Sequence, residues 1–117
     1  MKRPLIAGLA VTLVLTASAV ALAETRVVKA TSGDRWSVKH LYISMGDAVQ
    51  WRNPTSRVHD LKSTSKNWDF KRVLDPGERA KRTFGKAGFF RYRCLRHSSL
   101  VNGVCQGMCG FIHVAHG

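Results

Sequence analysis

Cys94, His97 and Met108 lie within fifteen residues of one another near the end of a 117-residue chain, and His59 stands upstream of them. These side chains offer one thiolate, two imidazoles and a thioether. Cu(I) favours soft sulfur and Cu(II) favours imidazole. A trigonal pair of imidazoles and a thiolate, with a weak axial thioether, therefore accepts both oxidation states. A second arrangement draws on the same region. Cys94-x2-His97-x7-Cys105-x3-Cys109, with His113, supplies enough nitrogen and sulfur for a tetrahedral zinc site. Two points weigh against zinc. His113 alternates with Ile112 and Val114 and so falls on the opposite face of a strand. Three free thiols are also hard to keep in an oxidising compartment. The cysteines number three, which leaves one thiol over if two pair.

Donors as far apart as His59 and Met108 need a rigid frame, and the sequence between them reads as strands. Segments 26–30, 38–44, 48–52, 58–62, 80–84, 89–94 and 111–114 are short and rich in β-branched and aromatic residues. Val49 and Trp51 alternate with Gln50 and Arg52, the period of a half-buried strand. Met45-Gly46-Asp47, Asn53-Pro54-Thr55-Ser56 and Leu74-Asp75-Pro76-Gly77-Glu78 read as turns, and 64–69 as a polar loop. Outside the N-terminal run no segment carries a helical apolar period. The expectation is an all-β sandwich or barrel of about seven to eight strands.

The N-terminal run has its own logic. Lys2 and Arg3 precede an almost uncharged stretch, Leu5 to Leu22, that closes on Ala21-Leu22-Ala23. This is the pattern of a signal peptide. Residues 1–23 are therefore expected to be a leader and 24–117 the domain, with a retained membrane anchor as the alternative. Export makes the expected location the periplasm, cell envelope or exterior. Removing the leader takes the formal charge from +12 to +10 on 94 residues. The basic residues are scattered singly, and export argues against nucleic acid. That leaves an acidic protein partner or an anionic surface.

The order of motifs carries a resemblance. Phe89-Phe90-Arg91-Tyr92-Arg93-Cys94-Leu95-Arg96-His97, then Gly107-Met108-Cys109-Gly110 opening a last strand, is similar to the plastocyanin and pseudoazurin branch of the cupredoxins, the type 1 blue-copper proteins. Gly46-Asp47-x-Val49-x-Trp51-x-Asn53 and Leu74-x-Pro76-Gly77 resemble further landmarks of that family, over roughly residues 26 to 115. The resemblance implies a Greek-key fold and one copper ion. His59, Cys94 and His97 would be equatorial ligands and Met108 the axial one. The implied function is a mobile, monomeric one-electron carrier. The edge of His97 would be the electron port, set in an apolar patch drawn from Leu95, Leu100 and Val101. It also implies that Cys94 stays free while Cys105 and Cys109 pair.

Two features depart from that pattern. His97 and Met108 stand eleven residues apart, and the insert 98–106 is longer than usual. A Cys105–Cys109 bridge, if its Cα atoms come within about 7 Å, would steady Met108. Asp60 also stands where the family commonly has asparagine. It is expected to pair with Arg93 or Arg96. Two other functions remain open. A copper carrier or store would use the same ligands, although Met45 and Met108 are the only methionines after the leader. An enzyme would need further copper centres. Only His40, His113 and His116 are left to build them, with no His-x-His pair, so no catalysis is expected.

Overall fold

The computed structural model describes residues 8, 10, 12 and 22–117, so the leader reading falls almost wholly outside the described residues. Eight strands follow: β1 Thr25–Lys29, β2 His40–Ser44, β3 Ala48–Arg52, β4 His59–Ser63, β5 Lys71–Leu74, β6 Arg79–Thr83, β7 Gly88–Val101 and β8 Val104–Ala115. They form two sheets, ordered β1-β3-β6 and β2-β8-β7-β4-β5. Pairing is parallel for β1 with β3 and for β2 with β8, and antiparallel elsewhere.

Alternation along the strands makes the core. Val28, Leu41, Ile43, Val49, Trp51, Leu61, Ile112 and Val114 point inward and are buried. Aromatic rings fill the space between the sheets. Trp51 meets Tyr92 edge-on at 5.4 Å, and Trp68 packs on Phe84 at 5.4 Å. Such pairs add about 0.5–1.5 kcal/mol each beyond the area they bury. Gly110 makes room for one ring. A Cβ there would stand 2.1 Å from the Tyr92 ring.

Three elements differ from the sequence reading. β5 went unseen because Lys71-Arg72-Val73 is exposed and does not alternate; it is a charged edge strand, the kind that resists edge-to-edge association. The 64–69 loop is less polar than it reads. It carries the buried Trp68, whose Nε1 donates to the Arg91 carbonyl at 3.0 Å. The insert 98–106 is not a loose loop. β7 and β8 continue as a hairpin, with Val101 opposite Val104 and a two-residue tip. Asn102 and Gly103 both have positive φ, 50° and 76°, as a type I′ turn requires.

This hairpin is interrupted at one place. Arg93 pairs with Cys109, and the next pair is Ser98 with Gly107. Residues 94 to 97 on β7 therefore face only Met108 on β8. Bulges of this kind re-aim side chains.

Candidate metal centre

The bulge sits at one end of the sandwich, beside the start of β4. It brings together the three strong donors expected from sequence. The donor atoms of His59, Cys94 and His97 all lie within 4.8 Å of one another. Cys94 Sγ stands 4.0 Å from His59 Nδ1 and 3.5 Å from His97 Nδ1. His59 and Cys94 are fully buried. Met108, the sole residue across the bulge, is fully buried as well.

The surroundings set the chemistry of each donor. His59 Nε2 lies 3.1 Å from Thr55 Oγ1. The Thr55 hydroxyl gives its proton to Asn53 Oδ1 at 2.6 Å, so toward His59 it can only accept. The imidazole proton is thereby placed on Nε2, and Nδ1 keeps its lone pair facing Cys94. His97 has a carboxylate beside its outer nitrogen but makes no hydrogen bond to it. Its Nε2 stands 3.6 Å from Asp34 Oδ1, a buried carboxylate oxygen with no hydrogen-bond partner. Asp34 Oδ2 is held by Arg57 at 2.6 Å. Fixing the tautomer through the outer nitrogen, as at His59, is how proteins commonly prepare histidine for a metal.

Asn53 ties this shell to the fold. Its buried amide donates to the carbonyls of Leu74 at 2.8 Å and Arg57 at 2.7 Å. The turn before β4 is thereby fixed to the end of β5. Asp60 braces the other side. Its carboxylate accepts from the Leu95 amide and pairs with Arg96 Nε at 3.4 Å. Its own amide points at Cys94 Sγ from 3.3 Å. Of the two arginines expected for Asp60, the structure selects Arg96, while Arg93 Nη1 turns to Ser98.

Burial disfavours charge on the donors themselves. It lowers the His59 pKa, helped by neighbouring His97, and it raises the Cys94 thiol above its ordinary value. The Asp60 amide opposes that rise by favouring the thiolate. A cation at the centre of the three donors would favour neutral His59 and reverse the rise at Cys94 by favouring the thiolate. Two imidazoles with free lone pairs, one unpaired buried thiol and a hydrogen-bond donor aimed at its sulfur fit a copper ion in both oxidation states.

Cys105 and Cys109 are bonded to each other, with Cα atoms 6.1 Å apart, and Cys94 is free. The zinc arrangement needs both of those thiols and is excluded by the bond. His113 also lies outside the three-donor group.

No family model matches the chain, and no curated protein matches it. Solved structures do. A reduced amicyanin with a tryptophan-to-tyrosine substitution matches at a TM-score of 0.65 and 20% identity, over 83% of this chain and 88% of that one. An oxidised proline-to-alanine amicyanin matches at 0.64 and 21%, over 78% and 82%. The Cu(I) form of a methionine-to-glutamine amicyanin matches at 0.63 and 19%, over 78% and 82%. The chain has the cupredoxin fold.

Two residues beside the three donors, Thr55 and Asp34, were out of reach of the sequence. Asp34 stands over the edge of His97, whose side chain is only 20% exposed. Leu95, Leu100 and Val101 are each exposed, and so is Val104. Nothing in the sequence marks Thr55 or Asp34. Thr55 lies in a turn, and Asp34 lies 25 residues before His59.

Proposed function

We propose that the protein is an exported carrier of single electrons, holding one copper ion at His59, Cys94 and His97 with Met108 as axial ligand. The observation that supports this most is the convergence of one free buried thiol and two imidazoles, His59 with its tautomer fixed by Thr55, at a single bulge. Copper supplies the Cu(I)/Cu(II) couple when bound. The chain's own residues do the rest. β4 and β7 hold the donors rigidly, which limits rearrangement between oxidation states. The Asp60 amide stabilises negative charge on sulfur. Burial keeps solvent from the thiolate. Reduced, oxidised and Cu(I) amicyanin structures share this fold and support the same reading.

Residues 1–23 act as a cleaved leader in this reading, and the mature, monomeric domain works in the periplasm or cell envelope. Leu95, Leu100, Val101 and Val104 receive a redox partner beside His97. The +10 charge of residues 24–117 draws an acidic partner and makes association weaken as salt rises.

The test is spectroscopic. One equivalent of Cu(II) should give an intense red-region absorption and a small copper hyperfine splitting, both lost in Cys94→Ser. Pale colour with ordinary type 2 parameters would remove Cys94 from the equatorial plane, and the electron-carrier reading with it. A copper carrier or store with the same ligands would also give the blue site. It would differ by releasing its copper to a chelator faster than it exchanges electrons with a small redox dye.

A further inference from the structure

His40 and His113 have no part in the site above. They lie on the outer face of the larger sheet, on neighbouring strands β2 and β8. The register sets His40 beside Phe111 and Tyr42 beside His113, with Arg91 and Phe89 next in line on β7. The result is a two-row patch facing away from the core. His113 is five residues beyond Met108 along β8, so the patch lies roughly 17 Å from the copper end of that strand.

Within it, His40 Nδ1 and His113 Nε2 approach to 3.1 Å. Flat contacts fix both rings. His40 stacks on Phe111 at 4.6 Å, and His113 stacks on Tyr42 at 4.3 Å. Phe89 closes the far side of His113 at 4.5 Å. The arrangement orients two nitrogen donors toward each other across adjacent strands, with His40 open to solvent.

We propose that His40 and His113 form a second metal site, taking one late first-row transition-metal ion whose remaining positions are filled by water. Nitrogen–metal bonds of about 2 Å place two ligating nitrogens roughly 3–4 Å apart, depending on the angle at the metal. The pair already stands at the short end of that range; the ion replaces the proton between the two nitrogens, and the rings turn so that both lone pairs converge on it. Two imidazoles without a thiolate select copper, nickel or zinc, with Cu(II) held most tightly. Arg91, stacked on Phe89 at 5.0 Å, adds positive charge nearby. The ion is therefore held by donor strength rather than by charge, and its water positions leave it exchangeable. Burial and the neighbouring His40 lower the His113 pKa, which keeps its lone pair available at neutral pH.

The site is independent of copper at Cys94, and its test uses Ni(II) as the probe. Titration of the purified protein by calorimetry should show one more equivalent of Ni(II) bound than in His40→Ala or in His113→Asn. Each variant should weaken that equivalent by roughly tenfold or more. Bound Ni(II) should also broaden the ring proton resonances of His40 and His113 selectively. Near-ultraviolet circular dichroism verifies that both variants keep the native packing. Equal stoichiometry and affinity in wild type and both variants would overturn the site, as would broadening that spares these two rings. Either result would reduce the pair to a histidine–histidine hydrogen bond.

Discussion

At the scale of single residues, the site depends on atoms that are not ligands. Thr55 accepts from His59 Nε2 and so leaves Nδ1 for the metal. Thr55→Val keeps the shape of the side chain and removes the acceptor. Copper affinity, measured by competition with a chelator, should fall about tenfold. An unchanged affinity would show that the tautomer is fixed elsewhere. Asp60 tunes rather than holds. It places a carboxylate beside Cys94 that Arg96 offsets only in part, because that arginine is half exposed. Asp60→Asn keeps the acceptor for the Leu95 amide and removes the charge. The potential should rise by tens of millivolts in cyclic voltammetry, since negative charge favours Cu(II). A potential that stays or falls would mean that Arg96 already cancels the charge. The donors His59, Cys94 and His97 were legible in the sequence because the order of motifs around them resembles that of the cupredoxins; residue type and spacing by themselves also allowed a zinc set. Thr55 and Asp34 were not. They reach the site through a turn and a distant loop, and only three-dimensional closure makes them neighbours.

At the scale of elements, the centre is a defect in a hairpin. The alternation of Phe90, Tyr92 and Cys94 made the first half of β7 readable. Its continuation through 98–101 was not, because the bulge breaks the period at the ligands themselves. The edge strand β5 was hidden for a different reason: with one buried residue, it has no pattern to show. The bulge needs Gly107. Its φ is +99°, and a Cβ there would stand 2.4 Å from the His97 carbonyl oxygen. Gly107→Ala must push the two strands apart at the ligands. A loss of about 2 kcal/mol or more in urea unfolding is expected, with a weakened blue absorption. Wild-type stability in this variant would refute the close approach. The Cys105–Cys109 bridge spans the same stretch and encloses Met108. A ring this small removes little chain entropy, so replacing both cysteines with serine should cost only about 2 kcal/mol. The larger consequence should be axial. A looser Met108 would alter the copper hyperfine pattern and the potential, and unchanged values for both would limit the bridge to stability.

At the scale of the whole molecule, the metal-free protein keeps several of its nitrogen and sulfur donors uncharged. His59 and His113 both have lowered pKa values, chiefly through burial. Above the unfolded value of about 6.5 they are neutral in either state, and their contribution is fully present. As pH falls below that value the unfolded chain takes up protons first, and stability is lost until the folded values are passed. Cys94 acts at the other end. Its raised pKa leaves stability intact below about 8.5 and erodes it above, where the unfolded thiol ionises first. Asp47, whose carboxylate accepts from the Glu24 and Ser44 amides, has a lowered pKa and acts only in stronger acid. The metal-free protein should therefore be most stable between about pH 6.5 and 8.5, with urea midpoints falling on both sides. His59→Gln should flatten the acid limb and leave the alkaline one. Copper changes the balance, because binding needs the thiolate and expels its proton; the bound protein should lose the alkaline limb entirely. An alkaline limb of the same slope with and without copper would mean that Cys94 never becomes a ligand, and equal midpoints at pH 5 and 7.5 in the metal-free protein would mean that burial does not disfavour charge on His59 and His113.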